Sequence, residues 1–127
     1  MTDEPTWPAI VRYRALISRK PATAADALRI ERHRSWLQAA NATALDSMPA
    51  KDVCLFWSDA ADRLLLEAWK QSGCEARGYA LLALGKLGSR ELNLSSDVDL
   101  VIVRSDTSEA DPKALRTFQS LLTEQTE

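Results

Sequence analysis

Two glycines lie three residues apart where the pattern predicts the end of a strand. Gly85 and Gly88 follow the apolar run 79–84, and Lys86, Ser89 and Arg90 lie beside them. Glycine permits a positive φ and a close approach of the backbone to a ligand. Consecutive N–H groups in such a turn can hold phosphate oxygens, and the neighbouring cations and hydroxyl would assist them. By itself, however, a glycine pair after a strand is more often only a turn.

Two aspartates separated by one residue follow shortly after. Asp97 and Asp99 open a second apolar run, 97–103. Residues two apart on a strand point to the same side, which would send both carboxylates to one face and Val98 into the core. Mg²⁺ prefers carboxylate oxygens and substrate phosphates as ligands. The pair is therefore a candidate metal site, and the simpler alternative is a solvated acidic entry to a strand.

The order of these two features is more informative than either alone. Only residues 90–96 separate the glycine turn from the aspartates. A nucleoside triphosphate could then lie between a phosphate-binding turn and a bound Mg²⁺, which would neutralise the triphosphate and stabilise the leaving group. The combination indicates nucleotidyl transfer.

The elements that must position these residues are mainly helices. Apolar residues recur at helical spacing in four segments. Proline is favoured at the first helical position, and Thr23 with Asp26 resembles a capping box. We expect helices that open at Pro8, at Thr23, at Asp52 as N-cap and at Pro112, the first ending before Pro21 and the third at Ser72–Gly73.

Two short apolar runs read as strands, 79–84 and 97–103, and the second is rich in β-branched residues and is expected to be mostly buried. The predicted fold class is α+β. A helical lead-in region, 1–75, precedes a strand–loop–strand and a final helix in 76–127. His33, in the charged run Arg29–Arg34, is expected on the surface, and the four tryptophans are expected to pack between helices.

Composition excludes several classes of protein. The chain has 127 residues, a net charge of −2 and two cysteines. The charge argues against a large nucleic-acid surface, and the two widely spaced cysteines are expected to be reduced. No apolar run approaches the length of a membrane span, and the acidic start Met1–Glu4 lacks the apolar core of a secretory signal. We therefore expect a cytoplasmic protein with no membrane partner.

Residues 80–103 read ALLALGKLGSRELNLSSDVDLVIV. This block closely resembles the glutamine synthetase adenylyltransferase/deadenylylase family, whose hallmark is GKLG(G/S)xELNxSSDxDL. The resemblance covers about a fifth of the chain, and within the block nearly every position matches. It implies a nucleotidyltransferase domain of the polymerase-β type, of which this chain holds the first strand–loop–strand and helix.

The resemblance also implies roles for individual residues. Gly88 and Ser89 match the nucleotide-binding turn, and Asp97 and Asp99 match the metal-binding, catalytic aspartates. Lys86 and Ser96 match positions that we assign to cofactor binding. Three further motif positions are expected to have supporting roles: Glu91, Asn93 and Ser95.

The implied cofactors are Mg²⁺ and ATP, and the implied partner is glutamine synthetase. Family enzymes attach AMP to one of its tyrosines or remove it by phosphorolysis, and the wording ELNLSS leans slightly towards the AMP-removing copy. A nitrogen-signalling regulatory protein is a further possible partner.

This chain departs from the family pattern in one respect. A third carboxylate, on a strand after the last helix, is missing, and the acidic residues Asp106, Glu109 and Asp111 follow the second strand too closely to replace it. We therefore expect a fragment that by itself has little or no transfer activity. An open sheet edge would favour self-association.

Two other functions stay open on the sequence. One is a non-catalytic fragment or pseudoenzyme that binds glutamine synthetase or another protein. The other is an unrelated Asp-x-Asp metal protein such as a glycosyltransferase, which the glycine turn directly upstream makes less attractive.

Overall fold

A computed structural model describes the backbone of residues 8–124 and the side chains of residues 13–123. The elements follow in the order α1 (Pro8–Ser18), α2 (Ala24–Ala44), α3 (Ala50–Ser72), β1 (Tyr79–Leu84), α4 (Gly85–Gly88), β2 (Asp99–Arg104) and α5 (Pro112–Glu124). A 3₁₀ turn, Glu75–Arg77, joins α3 to β1. This arrangement confirms the α+β class. Residues 1–7, which include Trp7, and residues 125–127 lie outside the described part.

Most helix boundaries follow the expected signals. Thr23 is the N-cap of α2, and its Oγ1 accepts a hydrogen bond from the Asp26 N–H at 3.0 Å. Gly73 ends α3 with a left-handed φ of 75°. The expected N-cap role of Asp52 is wrong: α3 begins earlier, with Pro49 as N-cap, and Asp52 lies in the first turn. An acidic residue in the first turn still interacts favourably with the positive end of the helix dipole.

One hydrophobic core joins the helical region to the strands. The third helix supplies more of it than any other element, through residues spaced three or four apart: Trp57, Ala60, Ala61, Leu64, Leu65 and Ala68. Trp69 meets Phe118 of α5 edge-to-face, with ring centroids 5.1 Å apart, a favoured aromatic geometry. Trp57 and Trp69 are buried, which confirms their expected packing role. The division between 1–75 and 76–127 remains a prediction.

The sheet consists of two antiparallel strands, with Leu84 opposite Asp99 and Tyr79 opposite Arg104. Cross-strand partners share a face. The inner face, with Leu81 and Leu100, packs against the core. The outer face is uncovered in the part of the chain that the structure describes: Leu82, Leu84, Val101 and Val103 are 48%, 49%, 39% and 43% exposed. The expectation that the second strand is mostly buried is therefore wrong: of its six residues only Leu100 is half-buried, and Ile102, on the inner face, is also 38% exposed.

Both cysteines are free thiols, as expected. Over the described residues, 8–124, no helix combines the length and the apolar character that a membrane span requires.

His33 is part-buried, so the expectation of a surface histidine is wrong. Its ring meets Tyr13 edge-to-face, and Nδ1 lies 3.1 Å from the Tyr13 hydroxyl. Its buried Nε2 has no hydrogen-bond partner within the described residues. Burial lowers the pKa of His33 below its ordinary value, and the nearby charges of Arg32 and Arg29 lower it further. The folded protein thus favours the neutral ring.

This shift predicts a stability loss in mild acid. The unfolded ring has a pKa of about 6.5 and binds a proton that the folded ring resists. Stability should be full above that pH and fall as the pH drops through it, with a slope well below about 1.4 kcal/mol per pH unit because the ring is only part-buried. His33→Gln should flatten the change in melting temperature between about pH 7.5 and pH 5.5. Since His33 is the only histidine, an equally steep slope in both proteins would contradict its role.

Candidate functional site

The glycine turn forms a single turn of helix. β1 ends at Leu84, and α4 covers Gly85–Gly88. The Ser89 N–H donates to the Gly85 carbonyl at 3.1 Å, and the Arg90 N–H donates to the Leu87 carbonyl at 3.0 Å. Leu87 is 3% exposed and anchors the turn in the core. The turn therefore has a defined position relative to β1.

A close backbone contact requires glycine at position 88, and a positive φ favours it at position 85. A Cβ at Gly88 would lie 2.7 Å from the carbonyl oxygen of Ala83, which is backbone and cannot rotate away. Gly85 has a φ of +57°, and a Cβ there would lie 2.6 Å from Oδ2 of Asp99. Gly88 thus lets the turn pack on β1, and Gly85 lets the Asp99 carboxylate lie directly against the backbone.

The two aspartates do not both come from a strand. β2 begins at Asp99, whereas Asp97 lies in the preceding loop. The prediction that a strand carries both side chains is therefore wrong for Asp97. The related expectation that Val98 enters the core is also wrong, because Val98 is 39% exposed. The physical reason is that strand pairing with β1 starts only at Leu84–Asp99.

Asp97 and Asp99 nevertheless line one open depression of about 440 Å³. Its other lining residues are Gly85, Lys86, Asn93, Ser95 and Ser96. Of the residues expected to act, Asp97, Asp99, Lys86 and Ser96 are thus brought together. Gly85, Asn93 and Ser95 also line it. Their position within the motif block 80–103 was the sequence feature that pointed to them.

Hydrogen bonds order the loop side of this depression. Asn93 Oδ1 accepts from the hydroxyls of Ser96 and Ser95, at 2.7 Å and 3.2 Å, and from the Ser95 N–H at 3.2 Å. The Lys86 ammonium donates to Ser96 Oγ at 3.3 Å. These bonds hold Lys86 and the loop ahead of Asp97 on the same side of the depression.

Gly88 and Ser89 do not line the depression. The Ser89 hydroxyl donates to the Lys86 carbonyl at 3.3 Å and to Glu91 Oε2 at 3.2 Å. Arg90, expected to add positive charge here, instead forms ion pairs with Asp59 and Asp62 of α3. Burial raises the pKa of the Asp62 carboxyl. Lys86 is thus the only cation that lines the depression among the described residues.

An apolar hollow of about 300 Å³ adjoins the depression and shares Ser96 and Asp97 with it. Its walls include Trp57, Leu64, Leu65, Val98, Leu100 and Leu122, with Arg32 as a further lining residue. Val98 therefore faces apolar neighbours even though it is exposed.

The donor set suits a hard cation beside phosphate. Mg²⁺ is commonly bound by one or two carboxylates plus substrate phosphates, and Asp97, Asp99 and the Lys86 ammonium match that division of roles. No group of three or more His, Cys, Asp or Glu side chains comes together within the described residues. The depression can thus supply two carboxylates to a metal, the remaining ligands coming from water or phosphate.

The contact at Gly88 predicts a large effect of one methyl group. Gly88→Ala should destabilise the fold by about 1–3 kcal/mol, because the new Cβ meets an immovable carbonyl. Ser89→Ala, at the next position, should change stability by less than about 0.5 kcal/mol, since the Ser89 side chain makes only exposed contacts. Urea unfolding of both variants measures this, and equal midpoints would contradict the close packing of the turn.

Comparison with known proteins agrees with the earlier resemblance. A 42-residue stretch is 45% identical to the bifunctional glutamine synthetase adenylyltransferase/adenylyl-removing enzymes of Bordetella pertussis and Bordetella bronchiseptica. It covers 33% of this chain and 4% of each relative, so the chain matches only a small part of their length. No solved structure is significantly similar. The sequence model of the family described as glutamate-ammonia ligase adenylyltransferase matches residues 8–121, and the chain therefore belongs to that family.

Proposed function

We propose that this chain supplies the nucleotide- and metal-binding part of an adenylyl-transfer site that acts on glutamine synthetase. The observation that carries the proposal is the depression that unites Asp97, Asp99 and Lys86 within the matched family region. The reaction would attach AMP to a tyrosine of glutamine synthetase, or remove it by phosphorolysis. The relatives are named for both attachment and removal of the adenylyl group.

Each lining residue has a role that its chemistry supports. Asp97 and Asp99 would hold Mg²⁺, which when bound neutralises phosphate charge and activates the attacking oxygen. Lys86 would pair with a phosphate oxygen of ATP, and Ser96 keeps the Lys86 ammonium in place. Gly88 and Ser89 would shape the turn against which the nucleotide lies. The family's acceptor, glutamine synthetase, is the proposed macromolecular partner, and a nitrogen-signalling regulatory protein is a second. We place the reaction in the cytoplasm.

Residues 1–127 alone should bind Mg²⁺–ATP but transfer little or no AMP. The reason is that no third carboxylate joins Asp97 and Asp99 among the residues the structure describes. The same observation supports the second candidate function, a non-catalytic module that binds glutamine synthetase or another protein. Nucleotide binding separates the two, because a purely protein-binding module needs no carboxylate pair.

Removing either carboxylate charge should weaken metal-dependent nucleotide binding. Asp97→Asn and Asp99→Asn should each weaken Mg²⁺–ATP binding at least about tenfold, since the amide cannot replace a charged metal ligand. Calorimetric titration with ATP, in the presence and absence of Mg²⁺, measures this.

Asp106→Asn is the matched control, because Asp106 is exposed after β2 and does not line the depression. It should bind like the wild type. Binding by both aspartate variants that equals the wild type would remove the metal role of the two aspartates, whereas no Mg²⁺–ATP binding by the wild type would favour the protein-binding module.

We also propose that the chain self-associates through its sheet. Both strands have an unpaired edge in the described structure, and the outer face carries exposed apolar side chains. Unpaired edges with apolar side chains are templates for pairing with another chain. A second copy of this chain offers the same edges and the same face.

The molar mass in solution should therefore rise with protein concentration. Val103→Lys on the outer face should shift the protein towards monomer, because a second copy that covers this face would desolvate the new charge. Leu66→Lys, at a position on α3 that is 55% exposed, is the control and should behave like the wild type. Analytical ultracentrifugation over a wide concentration range decides, and a wild-type monomer throughout would reject self-association.

A further inference from the structure

The segment that connects the glycine turn to the loop carrying Asp97 lies against α3. At its start, the Arg90 guanidinium pairs with Asp59, and its Nη1 lies 3.1 Å from Oδ2 of Asp62. At its end, the Leu92 N–H donates to the Ser58 hydroxyl at 3.1 Å. Consecutive turns of one helix therefore hold both ends of the segment.

The hydrogen bond between Leu92 and Ser58 is buried. Ser58 is 0% exposed and Leu92 is 1% exposed. An amide buried at this depth needs a protein partner, because water cannot reach it. Ser58 supplies that partner, so the backbone at Leu92 has a fixed distance from α3.

Arg90 has a backbone conformation that is uncommon for a residue with a side chain. Its φ is +62°, in the left-handed region that favours glycine. The Glu91 N–H donates to the Lys86 carbonyl at 2.7 Å across this bend. The bend turns the chain from α4 towards α3. The ion pairs of the Arg90 side chain with Asp59 and Asp62 offset the cost of its left-handed backbone.

On the basis of the nucleotide site proposed above, we propose that Arg90 is a positioning residue: it anchors the glycine turn to α3 through Asp59 and Asp62, and it does not itself bind the phosphates. Its charge is already engaged by two carboxylates, and it is absent from the lining of the depression. Lys86, by contrast, lines that depression, and among the side chains the structure describes its ammonium bonds to a neutral hydroxyl, that of Ser96. The two cations of the turn therefore have different tasks.

A first experiment tests the anchor without nucleotide. The double variant Asp59→Asn/Asp62→Asn removes both partners of Arg90 at nearly constant volume. Amide hydrogen exchange at Ser89, Arg90, Glu91 and Leu92 should become about threefold to tenfold faster, the range expected for partly exposed ion pairs. Exchange within the paired strands β1 and β2 should not change.

The control Asp106→Asn/Glu109→Gln removes two negative charges from exposed positions after β2. Its exchange rates should equal those of the wild type. If the Asp59/Asp62 variant exchanges no faster than this control at the four amides, the anchoring role is overturned.

A second experiment separates anchoring from direct phosphate binding. If Arg90 anchors the turn, Asp59→Asn/Asp62→Asn should weaken Mg²⁺–ATP binding about threefold to tenfold, in line with the looser turn. If Arg90 binds phosphate, the same variant frees its charge, and binding should stay equal or become tighter. The latter result would overturn the proposal.

Variants at Arg90 complete the test. Arg90→Gly tolerates the positive φ but removes the ion pairs, and combining it with Asp59→Asn/Asp62→Asn should weaken binding no further than either change alone. Arg90→Lys should restore part of the affinity through its remaining charge. Additive losses would overturn the proposal. If wild-type protein binds no Mg²⁺–ATP, the proposed function fails, whereas the exchange experiment still decides whether Arg90 anchors the turn.

Discussion

The structure depends on the packing of one face of a two-stranded sheet against α3. A pair of strands is at best marginally stable by itself. Here Tyr79, Leu81 and Leu100 share one core with the buried stripe of α3, and Phe118 of α5 packs in the same core. The helical region therefore does more than precede the site: without the α3 surface, β1 and β2 would have no fixed position, and neither would the turn between them.

This packing explains how residues from several elements form one depression. The turn at Gly85–Gly88 is held by its own hydrogen bonds, by buried Leu87 and by the tight approach to Ala83. Asp99 is positioned by pairing with Leu84, whereas Asp97 is positioned by a loop that Asn93 organises. A metal between the two carboxylates would therefore connect a strand with a loop, and its affinity would depend on the order of that loop.

The outer face of the same sheet is apolar, and no described part of the chain covers it. The outer side of β1 and β2 exposes Leu82, Leu84, Val101 and Val103 beside Asp99, at the margin of the candidate site. Exposed apolar area of this kind usually marks a surface that meets another protein or another part of a protein. The relatives are far longer than the matched stretch, which is consistent with a surface that other polypeptide can cover.

Local chemistry made several features readable from the sequence. Thr23 and Gly73 mark helix ends because capping and a left-handed φ depend on neighbouring residues. The helical stripe of α3, the two apolar runs and the motif block with Lys86, Ser96, Asp97 and Asp99 are likewise properties of residue order. Tertiary structure decided what residue order leaves open: that β2 starts only at Asp99, that one sheet face is exposed, and that Arg90 turns to α3 rather than to the depression. Each of these depends on which distant element supplies the partner, and sequence spacing does not encode that partner.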